Sequence, residues 1–401
     1  MIILAVSSGT SVDGIDVAVA DIQMSDTDIE MTPLVHREVD FSTELSEMVL
    51  GALPPATTTL EQVCRIDTLV GQELAAAARS CLDHDALAGA RPEVIVSHGQ
   101  TLFHWVQARS ALGTLQMGQP AWISEATGLP VISDVRGADV AAGGHGAPLA
   151  SLMDVLLLGE RVRPAAALNL GGIANVTVAG GGLDPVAFDT GPANALLDVA
   201  VHRATDGRRR FDAGGRLAAA GRVHDGLLSA LGEHPYYRQA PPKSTGKEVF
   251  HADYLDEALR HSSTQQLPGE DLLATLVELT ALTVAEALRP YNVDEVVASG
   301  GGTRNGVLMQ RLHARLGGPE VTTYDSLGLD PGAKEAYLFA LVGFLTWHGL
   351  PGTVPSCTGA RHRAIAGRIS PGSTPLRLPE PLTTSPTVLR VTAAPTDSTR
   401  S

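Results

Sequence analysis

The residues best suited to chemistry fall in short stretches where glycine stands among hydroxyl, amide or carboxylate side chains. The first is Ser8-Gly9-Thr10-Ser11-Val12-Asp13-Gly14-Ile15-Asp16, set between an apolar run at 2–6 and an alternating run at 17–22. Gly9 and Gly14 permit positive φ, so backbone N–H groups at such a tip can converge on phosphate oxygens, and Thr10 and Ser11 add hydroxyl donors. Asp13 is placed to hold a hydrated Mg²⁺ beside those phosphates. An ordinary hairpin turn uses the same residues. Asn169-Leu170-Gly171-Gly172-Ile173-Ala174-Asn175 repeats the logic: two glycines let backbone approach a phosphate and two amides orient it, again with a plain hairpin as the alternative.

Ala187-Phe188-Asp189-Thr190-Gly191-Pro192-Ala193-Asn194 opens a helical pattern with Pro192 near its first position. Asp189 then falls at the carboxyl end of a strand, where open α/β sheets present ligand-binding groups. A carboxylate there can accept a proton from water or a hydroxyl; the alternative is a helix-capping Asp. In Ser299-Gly300-Gly301-Gly302-Thr303-Arg304-Asn305 three glycines could admit a nucleobase or ribose. No G-x-G-x-x-G stands there, and Gly246-Lys247 lacks the upstream glycine of a Walker loop. His98, His104 and Gln100 could contact a polar substrate, although lone histidines are more often structural. Arg136, ahead of the loop Gly143-Gly144-His145-Gly146, is a candidate clamp for a carboxylate or phosphate, or one half of a surface ion pair. Pro241-Pro242-Lys243-Ser244-Thr245-Gly246-Lys247-Glu248 suits a lid or an exposed loop.

The elements that must position these groups follow from periodicity. Strands are predicted at 2–6, 17–22 and 31–39, a short helix at 42–50, and a long helix at 60–82 with Thr59 as N-cap and Gln62 three residues on. A short strand at 94–96 ends in Ser97-His98-Gly99-Gln100-Thr101; strands at 114–117 and 129–133 flank a helix at 120–126. The second half restarts the grammar with strands at 165–170 and 173–178, which points to an internal duplication. Helices follow at 192–204, 216–231, 252–261 and 271–288, then a strand at 295–298 and a helix at 305–316. An apolar helix at 334–348 is ended by Gly349 and Pro351. From 371 onward Pro, Thr and Ser dominate, so a disordered tail is expected.

A length of 401 residues with 44% hydrophobic residues supports two or three domains, or two lobes. Lys plus Arg is 29 against 44 for Asp plus Glu, a net charge of −15 that opposes nonspecific binding to nucleic acid or anionic membrane. A polyanionic ligand therefore needs local help from a metal, helix ends or single cations. Cys64, Cys81 and Cys357 have no metal-ligand spacing, and their odd number argues against a disulfide framework. With no run of about 18 apolar residues and no signal-like opening, the sequence reads as soluble and cytoplasmic.

Taken together, GTSVDGID (9–16), SHGQT (97–101), SDVRGADVAAGGHGAPL (133–149), NLGGIANVT (169–177), FDTGPANALLD (188–198), PPKSTGKEVF (241–250), SGGGTRN (299–305), AKEAYLFALV (333–342) and LPGTVPSCTGA (350–360) resemble the anhydro-N-acetylmuramic acid kinases. The resemblance implies an α/β, two-lobed actin-like ATPase fold, with ribonuclease H-like duplicated lobes of mixed β-sheet flanked by helices. It implies an N-terminal lobe at 1–163, a C-terminal lobe at 164–333 and a terminal helix at 334–370 returning to the N-terminal lobe or the lobe interface, before the tail at 371–401. ATP and Mg²⁺ would lie between the lobes. The implied reaction opens the 1,6-anhydro bond with water while O6 takes the γ-phosphoryl group, in cell-wall recycling; a homodimer is also implied.

Carried onto this chain, the phosphate loops are Gly9, Thr10, Ser11, Val12, Asp13, Gly14, Ile15 and Asp16, and Asn169, Gly171, Gly172 and Asn175. Gly300, Gly301 and Gly302 form the adenosine side, Asp189 the base, Asp13 the metal ligand, and Ser97, His98, Gln100, Arg136 and Glu335 the sugar side. His145, Ala193 and Gln119 stand where the family pattern leads one to expect Gln, Gly and an acidic residue, which bears on sugar-side contacts. The alternatives are a kinase of the same fold acting on another sugar hydroxyl, and a non-catalytic ATP-gated regulator.

Overall fold

A computed structural model describes residues 1–9, 12, 14–84, 87, 89–107, 110–241, 243–246 and 249–392. The chain divides into two compact units, one from Met1–Leu157 with Ala333–Ser401 and the other from Leu158–Gly332.

The first unit contains β1 (Ile2–Ser8), β2 (Gly14–Ser25), β3 (Asp28–Asp40), β4 (Val94–Gln107), β5 (Ser110–Met117) and β6 (Val131–Ser133). The second contains β7 (Ala165–Leu170), β8 (Ile173–Ala179), β9 (Val186–Pro192), β10 (Glu295–Ser299) and β11 (Glu320–Thr323). The chain then returns to the first unit with β12 (Arg368–Ser370) and β13 (Val388–Val391). The sheets run β12-β6-β4-β1-β2-β3-β13, with β5 on β4, and β11-β10-β7-β8-β9. At the heart of each, three strands joined by hairpins pair antiparallel, and the first of them continues into two parallel strands: β3-β2-β1-β4-β6 and β9-β8-β7-β10-β11. This is the ribonuclease H-like order, present twice. The duplication is therefore topological.

β1 reads as a continuous apolar run because it is central and covered on both faces. Leu4 and Val6 join the core under the helix Leu60–Leu82, with Ile66, Val70, Leu74 and Ala78 at helical spacing. On the other face the helix Lys334–Trp347 packs on β1, β2 and β4, close enough that Gly343 leaves no room for a Cβ beside Val96. The long helix starts where the sequence predicts, with Thr59 Oγ1 accepting the Gln62 N–H at 3.1 Å. In the second unit the helix Gly269–Leu288 is buried along most of its length and packs against helices on several sides, so it shows no apolar stripe. None of the described helices is long and apolar enough to cross a membrane.

Three expectations are corrected. β4 continues through 97–101 to Gln107, because a bulge at His98 lets the strand leave β1 and pair with β5. The helix at 216–231 is two, Arg216–Ala220 and Asp225–Gly232, interrupted where Gly221 turns extended against the Glu270 carbonyl. The tail is not disordered throughout: β13 pairs in parallel with residues 28–31 of β3, whose outer edge is otherwise open, and buries Val388 and Leu389.

Candidate functional site

In the first unit, Gly9 follows β1 and its carbonyl accepts the Val12 N–H at 3.2 Å. Thr10, Ser11 and Asp13, including the expected metal ligand, lie outside the described residues. Val12 has φ 57°, strained for a β-branched residue, and is held by burial and by the Ser46 hydroxyl donating to its carbonyl. Gly14, Ile15 and Asp16 begin β2; a Cβ at Gly14 would sit 3.0 Å from the Val39 carbonyl oxygen. Asp16 faces Glu38 across the β2–β3 ladder, and its Oδ1 is 3.1 Å from His36 Nε2. Ligand atoms of Asp16, His36 and Glu38 lie within 4.8 Å of one another.

Ser97, His98 and Gln100 are 1%, 3% and 0% exposed. Gln100 takes the Ser8 hydroxyl at 2.6 Å and so braces the end of β1. His98 Nε2 accepts from Arg136 Nε at 3.1 Å and Nη2 at 2.8 Å. Because a guanidinium only donates, the His98 proton resides on Nδ1, a buried atom with no partner among the described residues. Burial first, then the Arg136 charge, push the His98 pKa down to about 3. Arg136 Nη1 donates to the Gly146 carbonyl at 2.7 Å. Burial lowers its own pKa and Glu335 opposes this.

The glycine-rich loop wraps a buried carboxylate: Asp139 Oδ2 accepts the Gly146 N–H at 2.7 Å and Oδ1 accepts the Thr358 hydroxyl at 2.8 Å. Crowding by protein atoms raises the Glu335 carboxyl, Arg136 opposes this and Asp16 adds to it; the side chain keeps solvent access, so water screens these effects. Next to it, Lys334 and Asp154 form a buried ion pair at 2.6 Å.

In the second unit, the β7–β8 hairpin closes on Gly171-Gly172, whose carbonyls accept N–H groups of Asn194, Ala193 and Ala195 at 3.0 Å. Asn169, Asn175 and Asp189 are direct cross-strand neighbours on β7, β8 and β9, so their side chains share one face. Asp189 lies within β9 rather than at the N-cap of the following helix Asn194–Ala204, a place held by Ala193. Its Oδ2 accepts the Thr245 N–H at 2.8 Å, its carbonyl the Tyr236 hydroxyl at 2.8 Å, and its N–H donates to the Lys243 carbonyl at 3.1 Å. The Lys243 ammonium lies 4.6 Å over the Tyr236 ring; burial lowers its pKa while Asp189 raises it.

Of the three glycines after β10, two are packing devices. A Cβ at Gly300 (φ 83°) would meet Asn169 Oδ1 at 2.5 Å, and one at Gly302 would meet Leu170 Cβ at 2.6 Å. A Cβ at Gly301 would meet only Asn194 Nδ2, at an ordinary contact distance of 3.9 Å. Lys243 and Thr245 come from a segment read in sequence as a lid or exposed loop; the small-residue run Ser244-Thr245-Gly246 was the available signal.

The family model described as anhydro-N-acetylmuramic acid kinase matches residues 1–372. An anhydro-N-acetylmuramic acid kinase of Streptomyces coelicolor is 51% identical, covering 98% of this chain and 100% of its own length. One from Rhodococcus erythropolis is 49% identical over 98% of this chain and 100% of its own. Among solved structures, a ROK family glucokinase from Streptomyces griseus in complex with glucose and AMPPNP covers 85% of this chain and 99% of its own, at 14% identity and a TM-score of 0.35.

Proposed function

From the premise that the chain belongs to the anhydro-N-acetylmuramic acid kinase family, we propose that this kinase opens the 1,6-anhydro ring of anhydro-N-acetylmuramic acid with Asp189 as base. A water oxygen bonds to C1 as its proton passes to Asp189; the C1–O6 bond breaks and O6 takes the γ-phosphoryl group of ATP, leaving ADP and N-acetylmuramic acid 6-phosphate. Attack opposite the departing O6 inverts C1. The observation that carries this reading is the row Asn169, Asn175, Asp189, with the carboxylate gripped through Thr245 N–H.

The amides of Asn169 and Asn175 orient phosphate oxygens without repelling them, and Gly301 offers room for the adenosine. Around the first loop, Gly9 to Asp16 receive the phosphates, Gln100 braces Ser8 at the end of β1, and Ser97, whose buried hydroxyl has no hydrogen-bond partner among the described residues, is kept on the sugar side. Mg²⁺, when bound with ATP, neutralises phosphate charge. Asp13 is the proposed ligand, and the oxygens of Asp16 and Glu38 are donors of the kind Mg²⁺ takes, whereas His36 is not. Arg136 and Glu335 face the sugar. A cytoplasmic location, where ATP is supplied, and a homodimer complete the proposal.

The test is incubation with the anhydro-sugar, ATP and Mg²⁺ in H₂¹⁸O, with product weighed before anomeric exchange. One ¹⁸O at C1 of a phosphorylated sugar is expected. A phosphorylated product with the anhydro ring intact, or none from ATP-binding protein, refutes the reading.

A further inference from the structure

Among the described residues, Arg136 hydrogen-bonds only to neutral groups. Nε and Nη2 donate to one imidazole nitrogen of His98, and Nη1 donates to the Gly146 carbonyl. Of the five N–H donors of a guanidinium these use three, which leaves one on each terminal nitrogen. Among the described residues no carboxylate forms an ion pair with it; the field of Glu335 reaches it without such contact. A half-buried arginine is ordinarily held by a carboxylate, whose charge cancels its own. Here the holding groups are themselves rigid and uncharged. His98 is 3% exposed and meets Phe339 edge-on at 4.5 Å, and Gly146 is pinned by Asp139, which Thr358 pins in turn.

We propose that His98 is a positioning residue that holds Arg136 through a neutral acceptor, so that the charge of Arg136, tied up by no carboxylate in contact, and its two remaining donors take the carboxylate of an acidic side arm on the sugar. The pair then separates acidic from neutral anhydro-sugars. This rests on the proposed function, whose substrate differs from 1,6-anhydro-N-acetylglucosamine by a lactyl ether acid. A carboxylate in place of the imidazole would hold Arg136 equally well but quench it; a neutral acceptor would hold it and leave the charge available.

The experiment measures kcat and KM for both sugars with the wild-type protein, His98→Gln, His98→Glu and Arg136→Met, alongside each unfolding midpoint. Wild type is expected to favour the acidic sugar, mainly through KM. His98→Gln should keep most of that preference. His98→Glu and Arg136→Met should lower it by about 10- to 100-fold, the worth of a charge-assisted contact, with His98→Glu losing no more stability than His98→Gln. The inference is overturned if His98→Glu keeps the wild-type preference, if Gln and Glu reduce it equally, or if wild type does not distinguish the sugars. Failure of wild type to turn over either sugar refutes instead the proposed function.

Discussion

Replacing Asp189 by Asn removes the proposed proton acceptor and keeps the shape. Oδ2 accepts the Thr245 N–H at 2.8 Å, and the backbone N–H and carbonyl of the same residue are tied to Lys243 and Tyr236. The amide oxygen of Asn can accept that same N–H, so the side chain keeps its orientation. Exchanging a charge-assisted hydrogen bond for a neutral one forfeits about half its worth, ~1 kcal/mol. Loss of a general base lowers the rate by about 10²- to 10⁴-fold, which is ~3–5 kcal/mol on the barrier. The barrier effect therefore exceeds the stability effect several-fold. ADP release at saturating sugar and ATP, measured beside urea unfolding of both proteins, reads the two quantities separately. A variant within tenfold of the wild-type kcat would show that Asp189 is not the base. A variant losing ~3 kcal/mol or more of stability along with activity would make its role structural.

At Gly300, φ 83° with ψ 169° is a region essentially confined to glycine, and a Cβ there would lie 2.5 Å from Asn169 Oδ1, so Ala is destabilising by ~1–3 kcal/mol from the backbone alone, with a raised KM for ATP as Asn169 shifts; Gly301→Ala, whose nearest atom would be 3.9 Å away, should stay within about 0.5 kcal/mol. Thermal unfolding that ranks the two equally contradicts this. His98 stays neutral down to about pH 3 when folded, whereas an unfolded histidine takes a proton near its ordinary pKa of about 6.5. Stability is therefore full above the unfolded value and falls as pH drops toward 3, by ~2 kcal/mol from about pH 7.5 to about pH 5; urea unfolding of His98→Gln should lack that increment, and equal losses in both proteins would be the wrong result. Lys334→Met takes the cation from the buried Asp154 carboxylate and should cost ~3 kcal/mol, most of it recovered in Lys334→Met with Asp154→Leu. A double variant less stable than the single one in calorimetry overturns that account.

What the sequence makes legible is local. The hairpins β1–β2 and β7–β8 show as apolar runs around small-residue turns, and the cap Thr59 with Gln62 marks the start of a long helix, because each depends on neighbours a few residues away. Asp189 and Arg136 stand out by residue type and place. Their partners do not: Thr245 grips Asp189 from 56 positions on, His98 holds Arg136 from 38 positions back, and Gln100 takes Ser8 from 92 positions on. The burial of His98 does not show locally: all of residues 94–100 are buried in β4, on both faces, because of what packs against the strand from elsewhere in the chain. The same holds for β13, whose pairing partner lies at the other end of the chain.

Register, more than loop conformation, decides where chemistry can occur in each sheet. In the first, Gly99, Ser7, Asp16 and Glu38 stand in one row across β4, β1, β2 and β3; in the second, Ser299, Asn169, Asn175 and Asp189 occupy the matching row on β10, β7, β8 and β9. Each row adjoins a pairing irregularity, at His98 in β4 and at Thr190 in β9, the kind of defect that re-aims neighbouring side chains. The rows differ in charge. Two carboxylates oppose one another in the first, an arrangement that is destabilising unless a cation or donor intervenes, and His36 supplies a donor to Asp16. In the second, two amides in succession lead to a single carboxylate at the end of the row. An anionic phosphate can approach amides without repulsion, but can approach the first row only with positive charge between them. The second row thus suits a base working beside a phosphate, while the first calls for a cation, as the overall charge of −15 leads one to expect for any polyanionic ligand of this chain.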